Sequence, residues 1–388
     1  MDSLRVRAYN VRFGDALLVS VPDRGADGVV TVRHLLIDVG NVLAGSGGED
    51  DVFGPVIDDV LAELGGRPLD LYVMTHEHMD HVQGLLWAKE ARGLDLRATH
   101  AWLTASAEEG YYERHPEAKK RRLALEETYH GIARFLAAGE PAPALRAAML
   151  NNDPRATADC VAHLRTVGRK TTYVSRESDL AGAHPFAEAR LTVWGPEEDT
   201  STYYGRFRPM GLGLGPPPAA GGGAAAPLPD PLPPPGVDAG AFYDLLSWRR
   251  RGIFANVRMI DRAANDTSVV FLLEWRGWRL LFPGDAEERA WKEMAKRDLL
   301  RPVHFLKVGH HGSHNGTPEG ALLDAILPPR PEDGRPRTAL VSTHEGTYDG
   351  VPDADTLDRL AARCERVVRI GADGDPPFVD VHFPDPGD

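Results

Sequence analysis

Apolar and polar residues alternate from Leu4 to Val21, with Leu4, Val6 and Ala8 and then Leu17, Val19 and Val21 in phase, and Gly14-Asp15 interrupts them. Side chains of an extended chain point alternately to opposite faces, so this period predicts two half-buried strands. Leu35 to Val39 is a further short apolar run, closed by Asp38 and Gly40. From Phe53 to Leu64 the spacing becomes helical, with Val56, Val60 and Leu64 on one face, and Gly65-Gly66 stops it. Leu69 to Met74 then reads as a buried strand.

The stretch from Glu108 to Ala148 is rich in Ala, Glu, Arg and Leu and predicts helix. It carries Lys119-Lys120-Arg121-Arg122, read first as a solvated helix face. Between Gly211 and Gly236 nearly every residue is Gly, Pro, Ala or Leu, a composition that predicts a mobile loop. A short helix is expected at Phe242 to Arg251. Alternation returns at Ser268 to Leu273 and Trp278 to Phe282 about a turn at Gly277, the pattern of a β-hairpin. Helices are expected at Ala286 to Leu299 and Leu357 to Arg363. Strands are expected at Val303 to Val308, Thr338 to Ser342, Val367 to Ile370 and Val379 to Phe383.

A chain of 388 residues is long enough to bury a full core without disulfides. Its 44 Lys and Arg against 57 Asp and Glu give a net charge of −13, which argues against coating nucleic acid or an anionic membrane with the whole surface. A local basic edge is still compatible with it. Cys160 and Cys364 are too few for a disulfide framework and fit a reducing compartment. The N-terminal residues alternate charged with apolar side chains, unlike a signal peptide, and no apolar run reaches the length of a membrane span. A cytoplasmic protein without membrane contact is expected.

The chemistry concentrates in Thr75-His76-Glu77-His78-Met79-Asp80-His81, between the strand ending at Met74 and a helix starting near Val82. Residues two apart on an extended segment face the same side, so His76 and His78 can share one metal. The turn into the helix then swings Asp80 and His81 to a second position. Imidazoles and carboxylates suit zinc, and a site with an open position admits water. Asp285 after Trp278 to Phe282, and His310-His311-Gly312-Ser313 after Phe305 to Val308, also stand at strand ends. Three such clusters in one chain point to a metal centre.

These motifs resemble the metallo-β-lactamase-fold hydrolases, in particular their ComEC-like branch. The resemblance rests on Gly14-Asp15-Ala16, Asp38-Val39-Gly40, His76 to His81, Asn265-Asp266-Thr267-Ser268, Gly284-Asp285 and Leu306 to Ser313. It implies an α/β fold, a four-layer αββα sandwich, with its core at 1–104 and 259–388. The remainder would be a helical insertion at 105–185 and a Gly/Pro-rich insertion at 205–258.

Carried over, His76 and His78 would hold the first metal, and Asp80 and His81 the second, with Asp285 bridging. His310 is preferred to His311 as the last ligand, and Asp38 would steer a ligand imidazole. The wider fold's further histidine is absent before the hairpin, where either Asp266 or Asn265 would supply an oxygen or His76 and His78 would hold their metal with help from Asp285 and water. The first site would then be the weaker, with zinc at both and manganese as the alternative.

The resemblance implies hydrolysis by metal-bound hydroxide, with Asp80 and Asp285 orienting it and Ser313 binding a phosphate oxygen. The expected substrate is a phosphodiester, with DNA or RNA first and a small phosphoester second. Lys119 to Arg122 and Arg249 to Arg251 would contact the nucleic-acid backbone. A non-catalytic metal-binding protein, meeting a protein partner through the helical insertion, is the third expectation. His100, His115, His130, His163, His184 and His304 are read as surface or helix residues, and His314 and His344 as neighbours of the site.

Overall fold

The computed structural model of the chain describes residues 3–42, 49–136, 142–204, 253, 255–331 and 333–385. The expected loop at 211–236, the helix at Phe242 to Arg251 and the basic triplet Arg249 to Arg251 lie outside these residues.

The alternating and apolar runs pair into two mixed sheets. The first is built from β1 (Ser3–Tyr9), β2 (Ala16–Arg24), β3 (Val30–Val39), β4 (Leu69–Met74), β5 (Ala98–Thr104) and β6 (Gly168–Val174). The second holds β7 (Arg190–Gly195), β8 (Val270–Trp275), β9 (Trp278–Phe282), β10 (Phe305–Lys307), β11 (Thr338–Ser342) and β12 (Arg366–Ile370). The last strand, β13 (Phe378–Pro384), returns to the first sheet, whose order is β13-β1-β2-β3-β4-β5-β6, while the second runs β12-β11-β10-β9-β8-β7. Strands β3 to β6 are parallel to one another, as are β9 to β12. The hairpin β8–β9 turns at Arg276 (φ 44°) and Gly277 (φ 81°), a left-handed pair that matches the twist of two-residue hairpins.

Each sheet buries one face against the other. Leu17, Val19, Leu35, Ile37, Leu71 and Val73 from the first meet Phe271, Leu273, Leu280, Phe282 and Phe305 from the second in one apolar cluster. Each such side chain, fully buried, contributes about 1.5–3 kcal/mol relative to exposure. The outer face of the first sheet is covered by α1 (Glu49–Leu64), α2 (Met79–Arg92) and α6 (Pro154–Leu164). That of the second is covered by α8 (Glu288–Lys296), α9 (Gly320–Ile326) and α10 (Ala354–Ala361). Between β5 and α6 come α3 (Tyr111–Arg114), α4 (Pro116–Leu136) and α5 (Pro143–Asn151). A further helix, α7, spans 255–265. Tyr129 and Ile132 of α4, Leu145 and Met149 of α5 and Val257 and Ile260 of α7 form a small apolar core of their own.

The segment 105–185 is therefore more than a helical insertion. Its end, β6, pairs with β5 as the edge of the first sheet, and α6 packs on α2. Strand β7 likewise belongs to the second sheet although it precedes residue 259. Polar residues dominate β6 (Arg169, Lys170, Thr171, Thr172), so no apolar period announces it. Among the described residues no helix is long and apolar enough to cross a membrane. Both cysteines are buried and free.

Candidate metal centre

The parallel strands of both sheets end on the same side, and their ends carry the motifs. Asp38 closes β3, His76 to His81 follow β4, Asp285 follows β9, and His310 and His311 follow β10. Close backbone approach holds these ends together. A Cβ on Gly40 would lie 2.1 Å from the His81 nitrogen and 2.2 Å from the Asp80 carbonyl carbon, so only glycine fits there. The Asp15 N–H donates to the Asp80 carbonyl at 3.0 Å, and Gly40 N–H to the Asp15 carbonyl at 3.0 Å. The buried Lys307 ammonium meets the Asp15 carboxylate at 2.8 Å, which ties the end of β10 to the β1–β2 turn.

Asp38, fully buried with φ 51°, accepts from the Thr75 N–H at 2.8 Å, the Thr75 hydroxyl at 2.6 Å and His81 Nδ1 at 2.8 Å. His81 thus keeps its proton on Nδ1 and presents Nε2 forward. His311 is fixed likewise, Nδ1 donating to the Ser342 carbonyl at 3.0 Å. Because Thr75 gives its own proton to Asp38, His76 Nδ1 must donate to the Thr75 oxygen at 3.1 Å, leaving Nε2 as a lone pair. His78 Nε2 donates to Asn152 Oδ1 at 2.9 Å, so its Nδ1 is also a lone pair. Those two lone pairs face each other across 3.0 Å, an arrangement that a cation between them makes favourable.

Asp80, His81, Asp285 and His311 form a fully buried group of donors within 4.8 Å of one another, and His76, His78 and Asp80 form another. In the first, His81 Nε2 stands 3.3 Å from Asp285 Oδ2 and 3.7 Å from Asp80 Oδ1, and His311 Nε2 stands 3.2 Å from Asp80 Oδ2 and 3.4 Å from Asp285 Oδ2. Ligands placed tetrahedrally at zinc–nitrogen distances stand about 3.3–3.4 Å apart. Asp80 Oδ1 and His81 Nε2 are buried with no hydrogen-bond partner. The donor set and its spacing fit a metal ion.

The charges are strongly coupled. Burial opposes a charge on His311, but Asp285 and Asp80 push it up to about 10. His81 also rises well above its ordinary value, against burial, because Asp285, Asp80 and Asp38 surround it. Burial would raise Asp285, yet His311 and His81 hold it well below the carboxylate range. Burial, followed by His81 and His78, drives His76 well down, so it is neutral.

The structure corrects the choice of the last histidine. His311, not His310, joins Asp80, His81 and Asp285. Both residues adopt left-handed backbone conformations (φ 48° and 53°), which turns the first ring away from Asp80 and the second toward it. His310 meets Asp261 and Glu287 instead. Asp80, rather than Asp285, is the residue the two groups share. Asp266 joins neither; its oxygens are buried without partners, and burial and Glu287 push it up to about 7. The Ser313 hydroxyl donates to Asn315 at 2.8 Å instead of facing the donors. His314 is exposed and His344 bonds the Gly371 carbonyl, while His304 is buried rather than on the surface.

Asn151 and Asn152, where α5 ends, have no counterpart in the sequence reading. Asn151 accepts from the Asp80 N–H at 3.0 Å and Asn152 orients His78, so the helical segment braces the histidine motif. The Asn-Asn doublet is the trace it leaves in the sequence. Beside His78 a cleft is lined by Tyr112, Arg122, Leu125, Asn152, Tyr204 and Ile260. Arg122 pairs there with Glu126 at 3.0 Å and Glu77 at 3.8 Å, and Lys119 pairs with Glu113 at 3.0 Å. No protein-family model matches the chain, and no curated protein matches it.

Proposed function

We propose that this protein is a metal-dependent hydrolase with the four-layer αββα architecture of the metallo-β-lactamase fold, ComEC-like, acting on phosphodiesters. The observation that carries this reading is the buried group Asp80, His81, Asp285 and His311, whose donors stand at ligand spacing with their other ring nitrogens already occupied. Two layers of helices enclosing two sheets, with the motifs at the ends of parallel strands, support the fold assignment.

His76, His78 and Asp80 would hold one metal, and Asp80, His81, Asp285 and His311 the other, zinc fitting the second set and manganese being the alternative. A metal held there acidifies water and stabilises charge on a phosphoryl oxygen. Asp38 and the Ser342 carbonyl fix the imidazoles in the tautomers that present Nε2. Asp80, the residue the two groups share and one whose Oδ1 has no hydrogen-bond partner, would take a proton from an attacking water.

Nucleic acid is the first substrate class. A small phosphoester is the second reading, favoured by one observation: Arg122, which lines the cleft, is already matched by Glu126 and Glu77 and so offers a polymer's backbone little free charge. For a protein partner at the helical segment, Leu123 is an exposed large apolar residue of α4.

The test is hydrolysis by the full chain, stripped and reloaded with zinc or manganese, of single- and double-stranded DNA, RNA, a cyclic nucleotide and bis-para-nitrophenyl phosphate. Cleavage that needs metal and disappears in Asp80→Ala, His81→Ala and Asp285→Ala is expected. Metal-loaded protein that cleaves none of these, or variants that cleave as well as the parent, would overturn the reading.

A further inference from the structure

Beyond the two groups on the histidine motif, a third constellation stands where α7 meets the loops after β9 and β10. Asp261 of α7, Glu287 before α8 and His310 after β10 bring one donor each within 4.8 Å of one another. His310 Nε2 stands 3.7 Å from Asp261 Oδ2, and its Nδ1 3.7 Å from Glu287 Oε1. Both separations are too long for a hydrogen bond; they involve opposite nitrogens of one ring, of which a cation would take one, and one donor atom from each residue still keeps all three within 4.8 Å of one another. His310 Nδ1 is buried without a partner.

The neighbouring Asn265 supplies an independent sign. It is fully buried, and its amide nitrogen sits 3.0 Å from Glu287 Oε1, 3.3 Å from Asp261 Oδ2 and 3.3 Å from His310 Nε2, so its N–H groups occupy the space between the three donors. Its oxygen, Oδ1, is buried with no partner at all. A half-turn of the amide would exchange the two. Oxygen facing two carboxylates is repulsive by itself, whereas with a cation between them it becomes a fourth ligand and the orphaned acceptor is satisfied.

We propose that Asp261, Glu287, His310 and Asn265 form a third divalent-cation site, separate from the two groups that contain Asp80. Three oxygen donors with one imidazole suit a hard cation such as manganese better than zinc. Asn152 links this site to the motif: its amide donates to Asp261 Oδ1 at 3.0 Å while its oxygen accepts from His78. A cation here therefore pins α7 to both loops and steadies the residue that orients His78.

The test reads metal directly. Crystals of the full chain soaked in manganese and measured at its absorption edge should show an anomalous peak among Asp261, Glu287 and His310. In equilibrium dialysis Glu287→Gln should bind one manganese fewer than the parent, and Asp285→Asn should keep that one. Should circular dichroism show Glu287→Gln unfolded, Asp261→Asn, at a side chain 24% exposed, is expected to lose the same equivalent. Peaks at Asp285 and His311 with none at Asp261, or a folded Glu287→Gln binding as much manganese as the parent, would overturn the third site and leave the hydrolase reading standing. Manganese at the third site alone would do the reverse, and a chain that binds neither zinc nor manganese anywhere would overturn both.

Discussion

Two adjacent histidines divide the work at the end of β10, and spacing alone does not say how. His310 and His311 both sit in left-handed conformations, costing on the order of 1–3 kcal/mol each, and that backbone aims one ring at Asp80 and the other at Glu287. His311→Ala should therefore lower the proposed hydrolysis by at least about 100-fold and remove a metal that binds with Asp285, read by activity and metal content. Asp38→Ala leaves the donors in place but frees the His81 ring, so metal affinity should fall by about 10–100-fold in a titration of the apo-protein. The His76 to His81 motif was legible because its spacing is itself a ligand pattern. Glu287 and Asp261 were not, since a carboxylate on a helix or before one ordinarily reads as a cap or a solvated charge. Asp266 gives a prediction in pH: its folded-state value is raised from 3.8 to about 7, so it weakens the fold increasingly as pH climbs from 4 to 7 and by a constant amount above. Asp266→Asn should raise the melting temperature at pH 8 and change it less at pH 5, and an equal effect at both would refute this origin.

Among the elements, those with a clean apolar period were readable. Strand β4 is apolar but for Asp70, and the apolar runs of β8 and β9 bracket a glycine turn, so both elements stand within two residues of where they were expected. Strand β6 was hidden because an edge strand with exposed polar faces has no such period; α5 falls largely within the expected helical stretch, but the role of the two asparagines at its end had no signal. That end matters to the site. Asn151 and Asn152 hold the Asp80 backbone and the His78 ring, so replacing both by alanine should weaken metal binding about tenfold or more while far-ultraviolet circular dichroism stays unchanged. Unaltered affinity would show that the α5 end merely packs nearby.

At the scale of the whole molecule, the donors come from both sheets: Asp80 and His81 follow β4, Asp285 and His311 follow β9 and β10. A metal bound by all four joins the two layers and is absent from the unfolded chain, so free metal at about 100 times its Kd should add about 2.7 kcal/mol of stability, seen as a rise in melting temperature that chelator reverses. Because His311 and His81 hold protons at neutral pH when their neighbours are carboxylates alone, loading at pH 7 should release roughly two protons, measurable with an indicator dye. Strand β13 lies at the edge of the first sheet, antiparallel to β1, with Ser3 opposite Pro384. Force applied between these two points would open that pair one hydrogen bond at a time, like a zipper, instead of shearing all of them together. A single molecule pulled at Ser3 and Pro384 should thus yield first, and at low force, by peeling β13 away, while the other strands of both sheets and the residues of the candidate metal centre stay in place.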